Sequence, residues 1–208
     1  MRYDLAIFDF DGTLADSGPW FFGTLNEVAD RFGFRRTSAD EREALRRLSS
    51  REILRRLDVP LWRLPAIARH MRRRSSEDIA AIRLFDGIAD ALTMLRDRGM
   101  TLAIVSSNGE ETVRAVLGNA LVDSIAVYAC GSSMFGKAAK FRRLMRQLSI
   151  APDRTICIGD ETRDVDAARA VGAVAAAVSW GYAAPEALAA LRPTMMLWQV
   201  GDLYQLAE

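Results

Sequence analysis

Two aspartates one residue apart, Asp9 and Asp11, close the short apolar run Leu5-Ala6-Ile7-Phe8 and lead into Gly12-Thr13-Leu14. In a bending loop this spacing lets two carboxylates address one centre from different directions, one as nucleophile or cation ligand and the other as proton carrier. Further along, Ser106-Ser107-Asn108-Gly109 offers hydroxyls and turn amides that donate hydrogen bonds without adding charge, as a phosphate requires. Lys137 follows Gly136 at a helix start, where the helix dipole disfavours a cation, and compensation of anionic charge gives it a reason to be there. Asp160, Glu161 and Asp164 place three acids within five residues, a concentration of oxygen ligands suited to Mg2+.

Each of these groups ends or begins an element. Residues 5–8 are too short an apolar run for a helix and read as a strand buried on both faces, which puts Asp9 at its carboxyl end. In an open parallel sheet that end faces a crevice rather than the core. The same pattern recurs at 101–105, 125–129, 155–158 and 173–178, with a last edge strand at 195–197 and a short helix at 202–206. Helices are expected at 87–98, 110–117, from 136 to 148, from about 164 to Gly172, and up to Leu191. The alternation predicts a doubly wound parallel α/β sheet, a Rossmann-like core.

Between the first strand and the rest lies a purely helical pattern. Pro19 opens a helix that ends near Gly33, Ser38 or Asp40 opens a second, Ile53, Leu54 and Leu57 mark a third, and Leu61 to Met71 begins a fourth running toward Ile82. This divides the chain into a core of residues 1–16 and 84–208 and an inserted all-helical cap of residues 17–83. In the insert, Trp20-Phe21-Phe22 reads as a packing face, Arg72-Arg73-Arg74 as a solvated surface, and Arg51 as the candidate to reach an anionic substrate. His70, the single histidine, falls among arginines on a polar face and is given no role.

At 208 residues, 50% hydrophobic and 26% charged, the chain has room for one good core and an appendage. Its net charge of +1 argues against a general polyanion binder, so nucleic acid is not expected as a partner. That total is uneven: residues 17–83 hold fifteen arginines against nine acids, a net +6, which leaves −5 for the remainder. Cys130 and Cys157 each sit in a strand-like run and suit reduced core residues of a cytoplasmic protein. No stretch approaches the length of a membrane span.

The string from Asp9 to Ser17 resembles the first motif of the haloacid dehalogenase superfamily, most closely its phosphatase branch. Ser106, Lys137 and the run Gly159-Asp160-Glu161-Thr162-Arg163-Asp164 resemble the second, third and fourth motifs. Ala138 and Glu161 depart from the common pattern. The resemblance implies a cap that closes over the site, and a first strand lying between the second and the fourth. It also implies Mg2+ held by Asp9, Asp160 and the carbonyl of Asp11. Asp9 becomes the nucleophile, Asp11 the acid and base, Ser106 and Lys137 the partners of the phosphoryl group. Asp164, with Glu161 beside it, orders the lysine or a metal-bound water. Gly12, Thr13, Ser107, Asn108 and Arg51 remain as substrate contacts. The expected activity is hydrolysis of a small phosphorylated metabolite by a monomer or small homo-oligomer similar to phosphoglycolate phosphatase. A phosphomutase similar to β-phosphoglucomutase is the first alternative, and a noncatalytic protein binding through its basic cap is another. Haloacid dehalogenation fits less well, because those relatives need no metal and lack an acid at the position of Asp11.

Overall fold

The computed structural model describes residues 2–131 and 136–207. Its centre is β1 (Leu5–Phe8), buried at all four positions. Alternate side chains of a strand point to opposite faces, so Ala6 and Phe8 join one apolar cluster while Leu5 and Ile7 join the other. After β1 come β2 (Ala15–Asp16), the helices α1 (Gly18–Phe32), α2 (Ala39–Leu45), α3 (Ser50–Arg56) and α4 (Leu64–Glu77), and β3 (Arg83–Leu84). The rest alternates: α5 (Ile88–Asp97), β4 (Thr101–Val105), α6 (Glu110–Leu117), β5 (Val127–Ala129), α7 (Lys137–Leu148), β6 (Thr155–Gly159), α8 (Thr162–Arg169), β7 (Val174–Val178), α9 (Pro185–Ala190) and β8 (Met195–Leu197). A 3-10 segment, Val200–Ala207, follows where a short helix is expected.

Six strands pair in the order β5-β4-β1-β6-β7-β8, every pairing parallel. The strand order therefore reverses at β1, and the loops leaving β1, β4 and β6 meet at one switch point. Register fixes how closely: Phe8 lies opposite both Ile104 and Ile158, so Asp9, Ser106 and Asp160 emerge within two residues of one level.

The helical insert leaves and rejoins the core through a ribbon too short to show a pattern in sequence. Ala15 pairs with Leu84 and Asp16 with Arg83, antiparallel. Within the insert the start signals act as expected. Pro19 opens α1, which closes on Gly33 at φ 67°. The Ser38 hydroxyl accepts from the Glu41 amide, and Ser49 and Glu52 cap α3 reciprocally. Much of the arginine excess is spent inside the insert, in pairs of Arg35 with Glu41, Arg36 with Asp30, and Arg74 with Glu27 and Asp78.

Three expectations are corrected. His70 is not on a polar face: it is buried and its ring tilts against Phe32 at 5.5 Å, because α1 packs over the side of α4 that carries it. Cys130 falls one residue beyond β5 and is half-buried, whereas Cys157 lies within β6 and is buried; both are free thiols. The strand expected from residue 125 begins at Val127. Among the described residues no helix is long and apolar enough to cross a membrane.

Candidate active site

The loop after β1 turns at Gly12, whose φ of 76° suits a residue without a Cβ, and a Cβ there would also overlap the Asp160 carboxylate. Close approach of the backbone thus brings the loops after β1 and β6 into contact. Asp9 is buried, its Oδ1 accepting from the Phe10 amide at 2.8 Å and its Oδ2 facing Lys137 Nζ at 2.6 Å. Lys137 also pairs with Asp164 Oδ1, and Asp164 Oδ2 accepts from the Glu161 amide at 3.0 Å. The lysine at the start of α7 is therefore clamped between two buried carboxylates. Burial opposes its charge, but Asp164 and Asp9 hold it above its ordinary pKa.

Asp160 is fully buried. Thr13 Oγ1 donates to its Oδ1 at 2.8 Å, and the Tyr182 amide donates to its Oδ2 at 2.8 Å. One oxygen each from Asp9, Asp160 and Asp164 lies within 4.8 Å of the others. Burial, then the charges of Glu161, Asp9 and Asp164, pushes Asp160 well above the usual carboxylate range. Burial raises Asp9 to about 6, with Lys137 working the other way. Asp9, Asp160, Glu161 and Asp164 face the cations Lys137 and Arg163, so negative charge is in excess in a buried place. A hard divalent cation fits that donor set and would relieve the repulsion.

The Asp11 carboxylate stands outside this trio. Ser17 Oγ donates to its Oδ1 at 3.0 Å and Asn108 Nδ2 lies 3.4 Å from the same oxygen, while Ser106 Oγ is 3.5 Å from Oδ2. Burial raises its pKa, and the donors Ser17, Asn108 and Ser106 oppose that shift. Ser106 is buried and also accepts from the Asn108 amide at 2.9 Å. Two carboxylates of one short loop thus sit in different settings, one against a lysine and one among neutral donors.

The insert touches the site through several side chains, Ser75 and Ser50 among them. Ser75 Oγ of α4 donates to Asn108 Oδ1 at 2.8 Å, and Ser50 Oγ of α3 donates to Glu161 Oε2 at 2.7 Å. Glu161 also pairs with Arg163 and caps α8 with Asp164, which accounts for an acid where Ser or Thr is common in the family it resembles. Arg51 is exposed on α3 beside Ser50. Thr13, expected among the substrate contacts, has its hydroxyl on Asp160, and Ser107 is half-buried next to Ser106. Ser17, Ser75, Arg163 and Tyr182 belong to the same network without having been assigned a role from sequence. Only Ser17 and Arg163 carried a signal, as members of the first and fourth motifs. A cleft of about 450 Å³ opens at Gly12, lined also by Asp16, Phe22, Arg42, Arg46, Trp180 and Tyr182; Asp9, Lys137 and Asp160 do not line it.

A family model described as haloacid dehalogenase-like hydrolase matches residues 6–178. The phosphoglycolate phosphatase of Synechococcus elongatus is 37% identical over 202 residues, covering 96% of this chain and 94% of its own. Tyrosine-protein kinase PtkA of Mycobacterium tuberculosis is 30% identical over 182 residues, 86% of this chain and 62% of its own. In fold, a haloacid dehalogenase-like family hydrolase of Streptococcus pneumoniae superposes with a TM-score of 0.80 at 20% identity, covering 100% of this chain and 99% of that one. The chain belongs to the haloacid dehalogenase-like hydrolases.

Proposed function

We propose that the chain is a Mg2+-dependent phosphatase that hydrolyses a small phosphomonoester through an aspartyl phosphate on Asp9. The observation that carries this reading is the division of labour between Asp9, held by Lys137 within the buried acidic trio, and Asp11, held apart by Ser17, Ser106 and Asn108. In it, Asp9, Asp160 and the Asp11 carbonyl hold the cation, which when bound neutralises phosphate charge that would otherwise repel a carboxylate nucleophile.

Asp9 attacks phosphorus while Asp11 gives its proton to the leaving alkoxide. Asp11 then takes a proton from the water that hydrolyses the aspartyl phosphate. Lys137 and Ser106 hold the transferring group, and Asp164 fixes Lys137. Residues 17–83 act as the cap over a core of 1–16 and 84–208, resting on Asn108 and Glu161, and its residues, Arg51 among them, choose the leaving group. The name of the Synechococcus relative makes 2-phosphoglycolate the first substrate to try. Free thiols at Cys130 and Cys157 support a cytoplasmic place.

Phosphate release from a panel of small phosphomonoesters, with and without Mg2+, tests the reading in the wild type and in Asp9→Asn. Mg2+-dependent release that the variant loses is the expected result. No release from any compound by the wild type would sink it.

A further inference from the structure

Tyr182, in the loop after β7, touches Asp160 directly and reaches Asp11 through Ser17. Its amide donates to Asp160 Oδ2 at 2.8 Å, and its phenol lies 2.7 Å from Ser17 Oγ, which is itself 3.0 Å from Asp11 Oδ1. The direction of that chain follows from counting protons. Asp11 Oδ1 accepts whether the carboxyl is ionised or carries its proton on Oδ2, so the single hydroxyl proton of Ser17 goes to Asp11, and the phenol proton goes to Ser17.

The residue is also held firmly. Its ring stacks on Phe21 at 5.5 Å with an interplanar angle of 23° and meets Phe22 edge-on at 6.1 Å. Its carbonyl accepts from Arg46 Nε at 3.0 Å. Gly181 lets the backbone come this close, because a Cβ there would overlap Asp160. The outcome at Asp11 is asymmetric: Oδ1 takes Ser17 and Asn108, whereas Oδ2 has the 3.5 Å approach of Ser106. Oδ2 is thereby left as the oxygen able to carry a proton to and from a reacting group.

We propose that Tyr182 is a positioning residue that, through Ser17, orients the Asp11 carboxyl for protonation of the leaving group. The inference rests on the phosphatase reading above. It applies to esters whose leaving group needs a proton and spares those whose leaving group departs as a stable anion. The chemistry is the first half-reaction: the Asp9 oxygen–phosphorus bond forms, the ester oxygen–phosphorus bond breaks, and the Asp11 proton ends on the released alcohol.

The test compares kcat/KM, which reports steps up to the first product, for the wild type, Tyr182→Phe, Ser17→Ala and the double variant in saturating Mg2+. The substrates are 4-nitrophenyl phosphate and a preferred alkyl phosphate. Since a placed proton donor contributes about 10²–10⁴-fold, loss of orientation is expected to lower the alkyl ester rate about tenfold and the 4-nitrophenyl rate about twofold or less. The double variant should be no slower than Ser17→Ala alone, because both act along one chain. Equal losses on both esters, no loss on either, or additive losses in the double variant would overturn the proposal. If Tyr182→Phe does not fold, Ser17→Ala must show the same selectivity or the proposal falls. A wild type inactive on every ester removes the phosphatase reading itself, a result distinct from an active wild type whose variants show no leaving-group selectivity.

Discussion

Ser75 of α4 and Asn108 of the loop after β4, 33 residues apart, share a buried hydrogen bond of 2.8 Å that ties the helical insert to the neighbour of Asp11. Asn108 Oδ1 also accepts from the Gly109 amide, so the side chain keeps its orientation without the serine. Ser75→Ala should therefore cost no more than about 0.5–1.5 kcal/mol of stability. Loss of the tie should raise KM for the preferred phosphomonoester several-fold with a smaller change in kcat. Steady-state kinetics beside a urea titration separates the two; an unchanged KM would show that this contact does not hold the insert over substrate.

Lys137 is the shared partner of Asp9 and Asp164, both almost fully buried. Lys137→Met leaves two enclosed carboxylates without their cation, and breaking such a buried pair costs about 3–5 kcal/mol. Activity should fall by at least about 10²-fold, the scale of removing a preorganised charge partner. Chemical denaturation and phosphate release measure each separately, and near-wild-type stability would mean that the clamp is not closed in solution.

Like charges meet at Asp160, so cation binding there should stabilise the fold. Mg2+ at about 100 times its Kd is expected to add about 2.7 kcal/mol to the wild type. In Asp160→Asn that gain should vanish. Thermal melts across a Mg2+ titration give the answer, and an undiminished shift in the variant would place the cation elsewhere.

His70 is buried with no hydrogen-bond partner for Nε2 among the described residues, and burial, followed by Arg31, Arg73 and Arg74, lowers its pKa from 6.5. Above pH 6.5 it is neutral in both the folded and the unfolded chain and contributes no pH dependence. As pH falls below 6.5 the unfolded chain takes the proton first, so stability is lost down to the lowered folded pKa. The slope from this group is at most about 1.4 kcal/mol per pH unit. Urea midpoints at pH 7.5 and 5.5 should drop more for the wild type than for His70→Leu; equal drops would rule out His70 as a source.

Strong local patterns carried much of the fold. The strand at 101–105 and the helix at 110–117 agree with β4 and α6, because apolar runs and a Gly-Glu-Glu helix start are decided by neighbours in sequence. The ribbon of β2 and β3 was not legible, since a two-residue strand has no period and exists only through the pairing of Ala15 with Leu84 and of Asp16 with Arg83, far apart in the chain. His70 was misread for a related reason: arginines at 69 and 72–74 make its surroundings look polar, and only the packing of Phe32 from another helix buries it.

At the site, sequence alone determined which chemical groups stand at strand ends and helix starts. Asp9, Asp11, Ser106, Lys137 and Asp160 had to emerge on one edge once the strands were parallel. The tertiary structure decided who holds whom. It set Lys137 between Asp9 and Asp164, turned the Asp11 carboxylate away from the acidic trio, and brought Tyr182 to Ser17 across 165 residues. Side-chain hydrogen bonds depend on distances of a few tenths of an ångström between segments remote in the chain. Periodicity and composition carry no record of such distances, so only packing could fix them.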